Sequence, residues 1–182
     1  MRIVLTENCT VDGVIDLSSG WFDPAQQDDD LTAELRRHMA EEDGLLLGRA
    51  TFEAFREYWP SQHHDTSGIR SHLDQVPKYV VSTTLNGPGW ANTEILRTSP
   101  VEAVRHLGDA QGRNLGVTGS ISVAHQIVAA DLVDEYRLFV YPIVVGRGAR
   151  LFPDETERID LKLIETKSFP SGVTLQRYER RR

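Results

Sequence analysis

The sequence predicts an α/β fold: helices on both faces of a mostly parallel central sheet, closed by an antiparallel C-terminal edge. Two observations carry this. Through the first two thirds, short apolar strand-like runs alternate with segments of helical period, the pattern of parallel strands joined by crossover helices. In the last third strands dominate, and Pro170-Ser171-Gly172 sits between two of them as a turn. The 182 residues carry 40% hydrophobic side chains, enough for one ordinary core, so residues 1–182 are read as a single domain.

The elements follow in order. Arg2 to Asn8 reads as a strand, and residues 9–29 as loop, punctuated by Asp12-Gly13, Ser18-Ser19-Gly20 and Asp23-Pro24. Leu31, Leu35 and Met39 recur every four residues and mark one face of a helix, with Gly44 after Asp43 as its expected C′ residue. Leu45-Leu46-Leu47 is a buried strand, and a helix runs from about Thr51 to Tyr58. Residues 60–75 are expected to form a surface excursion. Lys78–Ser82 and Thr93–Leu96 are strands separated by the turn Asn86-Gly87-Pro88-Gly89. Ser99-Pro100-Val101-Glu102 is a helix start with N-cap, N1 proline and capping box. Leu115–Thr118 is a strand that runs through Gly119-Ser120 into a helix with Val123, Ile127 and Val128 on one face. Arg137–Tyr141 is a strand broken at Pro142 and continued by Ile143–Val145. Leu161–Thr166 and Val173–Tyr178 form the closing hairpin.

Charge and composition narrow the function. A formal net charge of −7 argues against general nucleic-acid binding, which needs a basic face. No apolar run approaches the ~20 residues of a membrane span. Cys9 is the single cysteine, compatible with a reducing compartment, and cytoplasmic residence is expected. His63, His64 and His72 lack partners at metal-ligand spacing, so no metal is expected. Gly146 and Gly148 begin like a dinucleotide fingerprint, but Phe152-Pro153 follows where a helix is required.

Three strand ends hold the informative chemistry: Gly48-Arg49-Ala50-Thr51, Ser82-Thr83-Thr84 and Thr118-Gly119-Ser120-Ile121-Ser122. Each places Gly, Ser, Thr or Arg where a strand stops. A glycine lets backbone approach a phosphate, and the following helix offers free amides and the positive end of its dipole. Taken singly, each is also an ordinary capped turn.

Together these segments resemble a known family. Leu46-Leu47-Gly48-Arg49-Ala50-Thr51-Phe52-Glu53 is similar to the G-R-x-T-[FWY]-E segment of dihydrofolate reductases. Tyr79–Thr84 resembles the next segment of that family, and Val117-Thr118-Gly119-Ser120 its paired-glycine turn, with Ser120 in place of the second glycine. That replacement is common in the branch related to the riboflavin-biosynthesis reductase domain. Thr10-Val11-Asp12-Gly13, Ala130-Asp131-Leu132-Val133-Asp134-Glu135 and Pro142-Ile143-Val144-Val145-Gly146-Arg147-Gly148 are similar to motifs of the same branch. The zinc deaminase signature of the bifunctional enzymes is absent.

The resemblance implies a dihydrofolate-reductase-like three-layer α/β/α fold and an NADPH-dependent reductase of a small heterocyclic substrate, acting as a homodimer. Cofactor-binding residues would be Gly48, Arg49, Thr51, Ser82, Thr83, Arg97, Thr118, Gly119, Ser120, Ile121 and Ser122. The 2′-phosphate would lie near Arg49, Ser82 and Arg97, and the pyrophosphate against Gly119, Ser120 and Ile121. Trp21 and Phe52 would face substrate. Candidate proton donors are Asp12, Asp30 and Glu34. Asp12 also reads as an Asp-Gly turn residue, Asp30 as a helix N-cap, and Trp21 as a loop anchor. Two alternatives stay open: a non-catalytic nucleotide-binding module, and a reductase of unrelated imines or aldehydes.

Overall fold

The computed structural model describes residues 1–24 and 28–181, so residues 25–27 of the long first loop lie outside the described part. One eight-stranded sheet organises the chain. Its strands are β1 (Arg2–Thr10), β2 (Glu42–Gly48), β3 (Lys78–Val81), β4 (Thr93–Leu96), β5 (Asn114–Val117), β6 (Glu135–Tyr141), β7 (Leu161–Ser168) and β8 (Thr174–Arg180). They lie in the order β4-β3-β2-β5-β1-β6-β8-β7. The first six are parallel to one another, while β8 runs antiparallel to both β6 and β7. The helices are α1 (Asp29–Met39), α2 (Arg49–Tyr58), α3 (Ile69–Gln75), α4 (Pro100–Gly108) and α5 (Ile121–Ala129).

Side-chain alternation on the strands sends apolar residues to both faces, as a doubly covered sheet requires. Ile3, Leu5, Cys9, Leu46, Leu115 and Val117 pack against Val104, Leu107, Ala124 and Ile127 of α4 and α5. Leu45, Leu47 and Val80 of the opposite face pack with Phe52 of α2 and Leu73 of α3. Phe139 and Leu175 receive Leu31 and Leu35 of α1. The result is the three-layer α/β/α architecture with an antiparallel C-terminal edge that the sequence predicts.

Several details differ. Helix α1 ends at Met39, and Gly44 lies inside β2 as a buried strand residue. A Cβ there would meet the Tyr79 ring at 3.0 Å, so the glycine serves close packing and not a helix stop. The segment expected to be a plain excursion contains α3. Ile143–Val145 is irregular chain and not a strand, because Pro142 interrupts pairing and the loop is held by Asp12. The N-cap of α1 is Asp28, whose carboxylate accepts from Leu31 N at 3.0 Å and from Ser171 N at 2.9 Å; Asp30 is an exposed first-turn residue. The capping box at Ser99 and Glu102 is formed as read.

A charged seam fastens α1 to the C-terminal hairpin. Glu135 is enclosed between Arg137 (2.8 Å) and Arg177 (2.7 Å), and Arg137 reaches Glu41 at 2.7 Å. Glu34 binds Arg37, His38 (2.9 Å) and Lys167 (2.6 Å). Burial, followed by the nearby Arg137 charge, pushes the His38 imidazole down to about 4.

Candidate functional site at the strand ends

Register creates the site. Strand β1 pairs with β5 only as far as Leu5 and Val117, but with β6 as far as Thr10 and Tyr141. Beyond Val117 the chain turns away into α5, leaving a notch beside β1 at the point where strand order reverses. Ligands of such sheets bind at switch points of this kind.

A cleft of about 350 Å³ opens beside this point, at the carboxyl ends of β2, β3 and β5. Gly48 and Arg49, Ser82 and Thr83, and Ser120 and Ser122 line it, so the structure brings the three predicted segments together. Thr84, Thr98 and Gln126 complete its polar wall. A second depression of about 310 Å³, lined by His63, Asp65, Arg70 and Asp74 beside α3, lies away from the strand ends and holds none of the three predicted segments.

Each segment is shaped for close approach. Gly48 N donates to Gly119 O at 3.3 Å, and a Cβ on Gly48 would collide with Ser120. Gly119 has φ +74° and a cis peptide bond to Ser120, and a Cβ on it would sit 2.7 Å from Thr51 Oγ1. The α5 N-cap, Ser120, makes no side-chain capping bond. Val123 N and Ala124 N return to Ser120 O, while Ile121 N and Ser122 N have no backbone acceptor among the described residues. Those free amides at the positive end of α5 suit an anion.

The family-model comparison matches residues 2–175 to the RibD C-terminal domain. The chain belongs to that family. RibD C-terminal domains are reductase domains, and oxidoreductase chemistry in general is what membership supports. The chain is 32% identical to the uncharacterized protein YyaP of Bacillus subtilis over 175 residues, 94% of this chain and 91% of YyaP. Its fold is similar to a Shewanella sp. PV-4 protein named for riboflavin biosynthesis, with TM-score 0.71 and 21% identity over all of both chains. It is also similar to a Thermotoga maritima diaminohydroxyphosphoribosylaminopyrimidine deaminase/5-amino-6-(5-phosphoribosylamino)uracil reductase. That match has TM-score 0.69 and 16% identity, covering 99% of this chain and 56% of that one.

Within this RibD C-terminal domain, the other predicted cofactor residues brace the cleft from behind. Thr51 Oγ1 lies 3.4 Å from Ser120 Oγ, under the turn. Arg97 donates to Ser82 O at 3.0 Å and Leu85 O at 2.7 Å, pinning the β3 turn from outside the cleft wall. Ser82 Oγ accepts from Leu85 N at 2.9 Å and Thr84 N at 3.2 Å, which leaves its hydrogen for a ligand. Arg49 is exposed and pairs with Glu53 at 2.9 Å.

Of the two substrate-side residues, Phe52 needs correction. Phe52 is fully enclosed in the α2 core and cannot touch a substrate. Trp21 packs edge-on against Tyr141 (5.3 Å) and Phe22 (5.9 Å) and donates to Asp16 O at 2.8 Å, so it anchors the first loop on the end of β6.

Two of the three predicted carboxylates, Asp12 and Glu34, are held in the ionised form. Asp12 accepts from Thr10 Oγ1 at 2.6 Å and from Gly146 N at 2.8 Å, and these bonds hold it down at about 2. It is an ionised clamp between two loops. Burial would raise Glu34, but hydrogen bonds from Arg37 and Lys167 outweigh it and bring it to about 2. Glu34 therefore belongs to the charged seam, and Asp30 stands exposed on α1.

One carboxyl behaves oppositely, and element-by-element reading misses it. Glu7 is half-buried and accepts from Gly119 N at 3.1 Å; loss of hydration pushes it up to about 8 against the lowering effect of that bond. Its signal was periodic: Ile3, Leu5 and Cys9 define an apolar face of β1, and Glu7 interrupts it.

Proposed function

We propose that this chain is an NADPH-dependent reductase that delivers a hydride to a small heterocyclic substrate, of the 5-amino-6-(5-phosphoribosylamino)uracil-reductase-like or dihydrofolate-reductase-like kind. The observation that carries the reading is the convergence of Arg49, Ser82, Ser120 and Ser122 with the free amides of α5 on one cleft. Bound there, the cofactor would supply the hydride. The chain's own residues bind and orient. Arg49 and the Ser82 hydroxyl suit a 2′-phosphate, because a guanidinium and a hydroxyl both donate to it. Ile121 N and Ser122 N suit a pyrophosphate. The Trp21–Phe22–Tyr141 cluster stands at the end of β6, where it would limit water access to the notch. Cytoplasmic residence and a homodimer accompany this reading.

A second reading, a nucleotide-binding module without turnover, is favoured by one observation: Asp12 and Glu34 are both tied up as ionised carboxylates. One experiment addresses both. NADPH at ~100 times its dissociation constant should stabilise the protein by about 2.7 kcal/mol, a rise in Tm of roughly 5–10 °C. Oxidation of the cofactor is then followed at the nicotinamide absorbance with a panel of pyrimidine, pterin, imine and aldehyde substrates. Stabilisation without turnover on any substrate selects the binding module. No stabilisation by NADPH refutes both.

A further inference from the structure

We propose that Glu7 is a positioning residue for the dinucleotide cleft: its side chain rises from β1 where β5 has ended and holds the Gly119 amide that shapes the turn into α5. The proposal rests on the cofactor reading above and adds a residue and a charge state to it. The geometry is specific. Glu7 lies two residues past Leu5, the last β1 residue paired with β5, so no strand covers it on that side. Across β6 its partner is Leu138. The turn presents Thr118, Gly119 and Ser120, all uncharged. On its own strand the titratable neighbour is Cys9, whose thiol burial and the Glu7 charge push up to about 12. No cation pairs with Glu7 among the described residues.

In these surroundings the neutral acid is the form that fits an anionic ligand. Its carbonyl oxygen still accepts from Gly119 N, and it puts no negative charge beneath a turn meant for phosphates. Ionisation would strengthen the hold on the amide but set a carboxylate against the bound anion. Proton binding and cofactor binding are therefore linked: whatever binds the protonated form raises its population, and affinity falls as pH rises through the midpoint near 8.

The test has two arms. In the first, the Gly119 amide resonance of ligand-free protein is followed from pH 6 to 10. It should titrate with a midpoint near 8 and lose that titration in Glu7→Gln, which keeps an acceptor oxygen but no acid. A midpoint in the ordinary carboxylate range, or the same titration in Glu7→Gln, overturns the proposal. In the second, NADPH affinity is measured between pH 7 and 9, above the second ionisation of a phosphate monoester at about 6. Wild-type affinity should fall about tenfold, as one pH unit beyond the midpoint requires. Glu7→Gln should stay level, and Glu7→Leu should bind more weakly at every pH. Equal slopes in wild type and Glu7→Gln overturn the proposal. If wild type binds no NADPH at any pH, the cofactor reading fails, and the amide titration still decides whether Glu7 holds the turn.

Discussion

Replacing Arg49 by alanine gives the sharpest test of which end of a dinucleotide lies where. Arg49 begins α2 at the rim of the cleft and is half exposed, with its guanidinium 2.9 Å from Glu53 one turn further on. A hydrogen bond to a charged group contributes about 1.5–3 kcal/mol. Engaging a phosphate costs the exposed i,i+4 pair with Glu53, which is itself worth only about 0.3–0.5 kcal/mol. The net contribution is then about 1–2.5 kcal/mol, or roughly a 5- to 70-fold loss of NADPH affinity in Arg49→Ala. NADH lacks the 2′-phosphate and should lose less than twofold. Calorimetric titration of both cofactors measures this directly. Glu53→Gln frees the guanidinium and should tighten NADPH about twofold. An equal loss of NADPH and NADH in Arg49→Ala refutes the placement of the 2′-phosphate.

Three further outcomes follow from the packing and the charges. Gly119→Ala forces a side chain into a left-handed conformation and against Thr51; a cost of about 1–3 kcal/mol should lower Tm by at least about 2 °C, with partial recovery in Gly119→Ala/Thr51→Ala. Asp28→Ala removes the α1 cap and should cost about 0.5–2 kcal/mol in urea unfolding, whereas Asp30→Ala should stay within about 0.5 kcal/mol. Glu34 is depressed in the folded state to about 2, so its contribution is present above its unfolded value of 4.5 and is lost as pH falls toward 2; Glu34→Gln should show a flatter stability profile across that window.

The layer order and sheet edge were legible because strand and helix periods alternate cleanly and the hairpin carries its own turn. The three strand-end segments were legible only in combination: each alone is also an ordinary capped turn, and what the structure adds is that all three line one cleft. What escaped was set by tertiary context. Phe52 sits one residue after Thr51 in a cofactor-like segment, but helical geometry turns it into the core while Thr51 lies beneath the Ser120 turn. Asp28 and Asp30 are similar as sequence signals, and the structure selects the former through the Leu31 amide and through Ser171 of the distant hairpin. Glu7 was a visible break in the β1 pattern, but its meaning depends on Gly119, 112 positions away.

The seam between α1 and the C-terminal strands has an evolutionary consequence. With Glu135 and Arg137 almost wholly enclosed, losing one member strands its counterpart in a medium that solvates charge poorly, whereas swapping the whole set for well-packed apolar residues is often neutral. Drift along this edge should therefore proceed by concerted exchange, so that descendants either retain the full ionic lock or replace it with an oily one.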